Sequence, residues 1–251
     1  MRKIALVTGG SRGLGRDMTI SLAKKNLDVI ITYNSNSQEA YYTVQKVQEI
    51  GVKAYAIKLN VADVSSLNAF IGNLKLVLKQ NFDADNLDFI VNNAGYGMNN
   101  SVEQATEAEF DSLLNVHFKG VFFLTQKVLP ILNNGGGIVN ISSGLTRFSF
   151  AGYSVYAAMK GAIETMTKYQ AKELGSRQIR ANVVAPGAIE TDFGGGVVRD
   201  NPDLNNHIAS ITALGRVGLS DDVGSVVAFL CSDDAKWVTG QRIEVSGGTL
   251  L

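Results

Sequence analysis

The chain has 251 residues, a length that suits one large domain or two small ones. Its hydrophobic fraction of 45 % and charged fraction of 18 % allow a substantial buried core and exclude a disordered chain. Lys plus Arg and Asp plus Glu number 23 each, so the chain lacks the basic excess that nucleic acid or an anionic membrane would demand, and little net charge holds copies of it apart.

At the N-terminus, Met1-Arg2-Lys3 runs into a short apolar stretch that Gly9-Gly10 ends, too short for a signal peptide. No run approaches the roughly 18 apolar residues that span a bilayer. Cys231 is the only cysteine, which excludes an intrachain disulfide and fits a reducing compartment. A cytoplasmic location is therefore expected.

Along the chain, short runs rich in Val and Ile alternate with longer helical segments. Strands are predicted at 4–7, 29–32, 53–59, 89–91, 138–141, 179–184 and 242–245. Runs apolar on both faces suit strands buried in a parallel sheet. Between the third and fourth, Leu67, Phe70, Ile71, Leu74 and Leu78 recur at helical spacing, with Asp63 or Ser65 as the cap. The βαβαβ order predicts an α/β fold with helices on both faces of the sheet and right-handed crossovers. No linker or repeat divides it, so a single domain over 1–251 is expected.

The first strand leads directly into Thr8-Gly9-Gly10-Ser11-Arg12-Gly13-Leu14-Gly15 and then a helix. Glycines let backbone approach a diphosphate closely, and the free N–H groups and dipole of a helix start favour negative charge. The spacing is G-x-x-x-G-x-G. Further on, Asn92-Asn93-Ala94-Gly95 follows strand four, Asn115 lies in the next helix, and Ser143 follows strand five. Tyr156 and Lys160 form a Y-x-x-x-K pair, and Pro186-Gly187 follows strand six.

In this order and over nearly the whole length, the chain resembles the short-chain dehydrogenase/reductase family. The resemblance implies a three-layer, doubly wound Rossmann-type fold with a mostly parallel seven-stranded sheet. Y-x-x-x-K alone is weak, because Tyr42 and Lys46 repeat it. Only Tyr156 has a serine, Ser143, thirteen residues before it; Tyr42 and Lys46 read as a solvated helix face.

The chemistry needs these groups. Residues at i and i+4 share one helix face. A free tyrosine has a pKa near about 10, and a neighbouring ammonium favours its phenolate. Tyr156 is thus expected to protonate a carbonyl oxygen while hydride reaches the carbon, with Lys160 lowering its pKa. Ser143 would bond the same oxygen, Ser142 being the alternative. By resemblance, Lys160 also holds the cofactor ribose, and Asn115 holds a water linking Lys160 to solvent.

The resemblance extends to the cofactor site. Gly9, Ser11, Gly13, Leu14 and Gly15 are expected at the diphosphate; Asn93, Ala94 and Gly95, with Asn92, toward the adenosine; and Pro186, Gly187, Ile189 and Thr191 at the nicotinamide. Where the family commonly has Asp-Val, this chain has Asn60-Val61, and an amide can still meet adenine. Asp63, three residues later, reads better as a cap.

NADP(H) is favoured over NAD(H). NAD sites usually end strand two with an acid on the ribose 2′-hydroxyl. Here Tyr33-Asn34-Ser35 stands there, and Asp28 is at the wrong end of the strand. Arg12, inside the glycine loop, is placed to pair with a 2′-phosphate, with Asn34 and Ser35 adding neutral hydrogen bonds.

Other chemistry is poorly supported. His117 and His207 lack metal-ligand spacing, so no metal is expected, and His117 is expected to point away from Asn115's side of its helix. Ser143 lacks a G-x-S-x-G setting. Trp237 reads as core or subunit contact.

The expected activity is NADPH-dependent reduction of a ketone to a secondary alcohol. Within the family the chain resembles 3-oxoacyl-acyl-carrier-protein reductases through Ala213-Leu214-Gly215-Arg216-Val217-Gly218, Asp221-Asp222-Val223 and Val245-Ser246-Gly247-Gly248. An acidic carrier needs basic residues at the site mouth, for which Arg177 is the candidate, although 133–137 is uncharged. A small free ketone or sugar is the alternative substrate, and a non-catalytic NADP-binding sensor the alternative class. Gly194-Gly195-Gly196 points to a mobile lid. By resemblance the chain forms a homotetramer through 115–132 and 156–174 on one axis and 223–248 on the other.

Overall fold

A computed structural model describes residues 2–251. In chain order the principal elements are β1 (Ile4–Val7), α1 (Gly13–Lys24), β2 (Asp28–Tyr33), α2 (Ser37–Glu49), β3 (Ala54–Lys58), α3 (Leu67–Val77), β4 (Leu87–Asn92) and α4 (Glu107–Leu114). There follow α5 (Gly120–Val128), β5 (Leu132–Ile141), α6 (Ser154–Glu173), β6 (Arg180–Pro186), α7 (Val197–Asp200), α8 (Pro202–Ser210), α9 (Ser220–Leu230) and β7 (Arg242–Val245). A π-turn, Asn115–Lys119, joins α4 to α5 without a break.

The strands form one seven-stranded sheet in the order β3-β2-β1-β4-β5-β6-β7, with every pair parallel. Alternate residues of each strand feed opposite cores. Leu6, Ile30, Ile90 and Ile138 pack on α3 and α5 with Leu67, Leu74 and Leu124. Val7, Val29, Ile31, Val91 and Val139 pack on α1 and α9 with Met18, Leu22, Val223 and Val227. That two-sided burial is why the strands read as continuous apolar runs. Strand order reverses between β1 and β4, so the loops at their carboxyl ends part and leave a crevice.

Buried amides stitch the sheet to the helices around that crevice. Asn92 Nδ2 donates to Asn140 Oδ1 at 2.8 Å and to Thr125 Oγ1 at 3.0 Å. Asn140 Nδ2 in turn donates to Thr167 Oγ1 at 2.8 Å and Gln170 Oε1 at 2.9 Å. The bonds fix β4 and β5 against α5 and α6.

Several expectations change. β5 begins at Leu132 rather than 138, with a register shift in β4 between Leu87 and Phe89. Asn133 Nδ2 donates to Asp88 Oδ1 at 2.9 Å, and Gly136 runs so close that an added Cβ would lie 2.2 Å from the Asp88 carbonyl oxygen. This stretch is therefore at the amino end of the sheet. Arg177 is held there too, donating to Leu129 O at 3.0 Å and Asn134 Oδ1 at 2.9 Å, away from the crevice. It is structural, and the carrier-facing role expected for it does not hold. Trp237 is 96 % exposed, which removes the core reading.

Other readings hold. Asp63 Oδ1 accepts from Ser65 N at 3.1 Å, capping the turn before α3. Tyr42 is exposed, with Lys46 over its ring and bonded to Glu49. Among the described residues no helix is long and apolar enough to cross a membrane. Cys231 is buried, which pushes its thiol up to about 12.

The α3 packing gives a direct test. Leu74 is fully buried, whereas Leu76 is 58 % exposed. Leu74→Ala is expected to cost about 2–5 kcal/mol and Leu76→Ala under about 0.5 kcal/mol in chemical denaturation.

Candidate active site

The crevice is built from two loops sewn together. Thr8 Oγ1 accepts from Asn93 N at 2.9 Å and Ala94 N at 3.0 Å, while Asn93 Nδ2 donates to Thr8 O at 2.9 Å and Gly9 O at 3.2 Å. The glycine loop after β1 is thus fixed against the segment after β4. Arg12 occupies the cap position of α1 with no side-chain cap bond, and the first turn of α1 carries no acid. Its orphan N–H groups and positive dipole end face the crevice uncompensated. A Cβ on Gly15 would lie 2.1 Å from the Gly9 carbonyl oxygen, so only glycine permits this tight approach. Gly13 faces Thr191 across the groove, 3.7 Å from a Cβ built on the glycine. These features fit a dinucleotide diphosphate.

The two arginines of this region differ. Arg16 donates to Ser11 O at 2.8 Å and Thr43 Oγ1 at 3.1 Å, pairs with Glu39 and stacks on Tyr42. Arg12 is exposed, and among the described residues no hydrogen bond or ion pair engages its guanidinium. At the end of β2, Tyr33 is half-buried and Asn34 and Ser35 are exposed; the first carboxylate beyond them, Glu39, is the one tied to Arg16. Asp28 lies at the opposite end of β2, accepting from Lys53 N at 2.8 Å. After β3, Asn60 Oδ1 accepts from Ala62 N at 3.1 Å and Val61 turns into the core. Past β6, Gly187 N donates to Val245 O at 3.0 Å, Ile189 bridges to Gly218, and Thr191 Oγ1 accepts from Phe193 N at 3.2 Å.

Tyr156 and Lys160 lie one turn apart on the buried face of α6. Lys160 Nζ donates to the Ile141 carbonyl at 2.8 Å and sits 5.6 Å from the centre of the Tyr156 ring. Ser143 Oγ accepts from Leu145 N at 3.2 Å, which holds it at the start of the next turn and within reach of the Tyr156 hydroxyl. Burial raises the Tyr156 pKa, opposed in smaller measure by Ser143. It also lowers Lys160 to about 8. The expected depression of Tyr156 by the Lys160 ammonium is not seen: desolvation dominates both groups and penalises both charged forms.

Ser142 does not share the role of Ser143. Its hydroxyl donates to Glu164 Oε1 at 2.8 Å. Glu164 also accepts from Thr146 Oγ1 at 2.6 Å and Arg242 Nε at 2.8 Å, so one carboxylate clamps α6 to the Ser143 turn and to β7. Arg242 and Arg147 share Glu244, whose carboxyl is held down to about 2, chiefly by the bond from Arg147.

Asn115 opens the π-turn half-buried, and among the described residues its side chain forms no hydrogen bond to Lys160. The side chain that meets Tyr156 is His117, edge-on to its ring at 5.1 Å and 83°. His117 faces α6 from within the π-turn, so the expectation that it points elsewhere does not hold. Phe193 covers the other side, its ring 5.9 Å from Tyr156 and packed on Gly97. Gly194, Gly195 and Gly196 all have positive φ, at 62, 78 and 79°, and fold this segment back over the site. Arg199 ties it down through Asp192 and Asp200, each at 2.7 Å. His117, Glu164, Phe193 and Thr8 were missed by sequence reasoning; only the glycine triplet pointed to the covering loop.

Comparisons with known proteins agree with this geometry. Residues 9–249 match the family described as enoyl-(acyl carrier protein) reductase. The 3-oxoacyl-[acyl-carrier-protein] reductase FabG of Staphylococcus aureus is 37 % identical over 253 residues, covering 100 % of this chain and 99 % of the relative. The angucycline C-6 ketoreductase LanV, solved with bound NADP, superposes with a TM-score of 0.93 at 35 % identity, covering 99 % of this chain and 95 % of LanV. A short-chain dehydrogenase/reductase from Serratia marcescens superposes with a TM-score of 0.91 at 31 % identity, covering 99 % and 98 % of the two chains.

The clamp is testable through stability. Glu164→Ala removes the acceptor shared by Ser142, Thr146 and Arg242, with Arg242 keeping Glu244, and is expected to cost about 1–3 kcal/mol in equilibrium unfolding, whereas Glu164→Gln, which keeps an acceptor, costs less.

Proposed function

The chain belongs to the short-chain dehydrogenase/reductase family and is an oxidoreductase of keto and CH–OH groups; within it, we propose an NADPH-dependent ketone reductase in which Tyr156, Ser143 and Lys160 carry the chemistry. The observation that carries this reading is the buried phenol with Ser143 in reach and a lysine one turn away, beside a glycine loop at a helix start.

NADPH, when bound, supplies the hydride. Gly9, Ser11, Gly13, Leu14 and Gly15 would hold its diphosphate, with Asn60, Val61, Asn93, Ala94 and Gly95 along the adenosine side. Pro186, Gly187, Ile189 and Thr191 would meet the nicotinamide, and Lys160 the ribose hydroxyls. The bound NADP of LanV supports this choice of cofactor. So does Arg12, a guanidinium free for a 2′-phosphate beside Tyr33, Asn34 and Ser35.

The chain's own groups suit the proton-donor role. Because burial raises the Tyr156 pKa, the phenol keeps its proton at neutral pH and can give it to a carbonyl oxygen. Ser143 would hydrogen-bond that oxygen and stabilise its developing charge.

The substrate reading is a small free ketone. Tyr96, Phe148, Phe150 and Phe193 give the region apolar aromatic surface. Arg147, Arg199 and Arg216 are each paired with carboxylates of this chain, which leaves little positive field for an acidic carrier. A homotetramer is part of the proposal: Phe122 on α5 is 43 % exposed and Tyr169 on α6 is 65 % exposed, apolar surface on the helices that would pair.

Two measurements test the reading. In a panel of ketones followed by nicotinamide absorbance, Tyr156→Phe is expected to lose about 10²-fold or more in kcat while binding NADPH nearly as the parent does. Arg12→Ala is expected to shift the ratio of kcat/KM for NADPH over NADH by about ten- to a hundredfold toward NADH, the size of one charge-assisted hydrogen bond. A parent enzyme that already prefers NADH would refute the role of Arg12.

A further inference from the structure

His117 is 1 % exposed, on the π-turn between α4 and α5. Single π-turns inserted in helices recur at functional sites because they re-aim side chains. The ring is pinned from two sides. Its Nε2 lies 2.9 Å from the Tyr96 carbonyl oxygen and 3.4 Å from the Tyr96 N–H; the shorter contact has the length of a donated hydrogen bond and assigns the proton to Nε2, and the contact with Tyr156 fixes the ring plane. A proton on Nε2 leaves Nδ1 as a bare acceptor. Nδ1 is buried and has no hydrogen-bond partner in the chain.

The surroundings keep it in that state. Burial and then the charge of Lys160 hold its pKa well below the usual histidine value, the Tyr96 carbonyl opposing them. The titratable groups around the imidazole are Lys160 and Tyr156 of α6 and Tyr96 before α4. The space at its Nδ1–Cε1 edge is left open by Gly95: a Cβ there would lie 2.6 Å from Cε1 and 3.0 Å from Nδ1. The Nε2 bond to Tyr96 accounts for one end of the imidazole, but no partner in the chain accounts for the other, Nδ1.

We propose that His117 is a positioning residue for the reduction, holding the Tyr156 ring by its edge and presenting Nδ1 as the acceptor that orients the polar hydrogens around Lys160. Lys160 carries up to three donors, and one is spent on the Ile141 carbonyl. An acceptor in this cluster favours the orientation of the ammonium toward Tyr156, whose ring both His117 and Lys160 contact. The role that family resemblance gives Asn115 then falls to His117. The proposal rests on the ketone-reductase reading above.

Two variants separate the acceptor from the ring. His117→Phe keeps the edge contact and removes the acceptor; His117→Asn removes the ring and restores a polar acceptor. The Phe variant, whose Tyr96 carbonyl loses the Nε2 donor, is expected to fold with a somewhat lowered melting temperature, to keep its KM for NADPH within about twofold, and to lose about tenfold or more in kcat. The Asn variant regains most of that kcat. NMR titration of the Lys160 ammonium gives a readout independent of any ketone: its midpoint falls in the Phe variant and returns in the Asn variant, since an acceptor favours the charged form. Equal kcat and equal Lys160 midpoints in the parent and Phe variants would overturn the proposal, as would Phe and Asn variants equally impaired in both. A parent protein that reduces no ketone would refute the reductase reading, while the Lys160 titration would still decide the placement of His117.

Discussion

The bond from Lys160 Nζ to the Ile141 carbonyl is the contact on which the site depends. Ile141 is the last residue of β5, and Ser143 follows two residues on. Lys160 stands one helical turn from Tyr156. One buried hydrogen bond thereby sets the depth of α6 against the sheet edge and the separation of Ser143 from Tyr156. Glu164, a turn further along the same helix, repeats the tie through Ser142, Thr146 and Arg242. Under the proposed reading a phenol and a hydroxyl share one oxygen and must be held to a fraction of an ångström, which paired anchors on rigid elements can do.

Burial sets the electrostatics around these anchors. Tyr156 is pushed up, and Lys160 and His117 down, each toward its neutral form. Formal charge is concentrated instead in pairs outside the cluster, among Arg147, Arg242 and Glu244, in Arg199 with Asp192 and Asp200, and in Arg216 with Asp222. The buried cluster around Tyr156 is thus kept free of strong fixed charge, while the exposed Arg12 at the glycine loop stands apart from it.

Much of this was readable in the chain. Strand positions follow from Val- and Ile-rich runs because both sheet faces are covered, and the glycine loop and the Tyr156–Lys160 pair stand where local spacing puts them. What stayed hidden depends on non-local geometry. His117 meets Tyr156 from a π-turn, and nothing in the local sequence of Asn115–Lys119 announces that turn. Leu132 to Gly137 lack β-branched residues, so the early half of β5 reads as loop until Asp88 is seen to claim it. Arg177 and Ser142 had the right chemistry for the roles considered, yet their partners, Asn134 and Glu164, are 43 and 22 residues away in sequence.

The sheet order also constrains synthesis. β1 lies in the middle of the sheet, and its second neighbour, β4, ends at residue 92. Until that strand has emerged from the ribosome, one edge of β1 is an open template and the glycine loop has no Asn93 to close against. Tyr156 reaches its place later still, after β5. A chain growing from its N-terminus therefore carries an unpaired hydrophobic strand for much of its translation, and all-parallel pairing of this kind is slow to complete. The arrangement that gives the mature protein its crevice thus leaves β1 paired on one side only, to β2, until β4 is made.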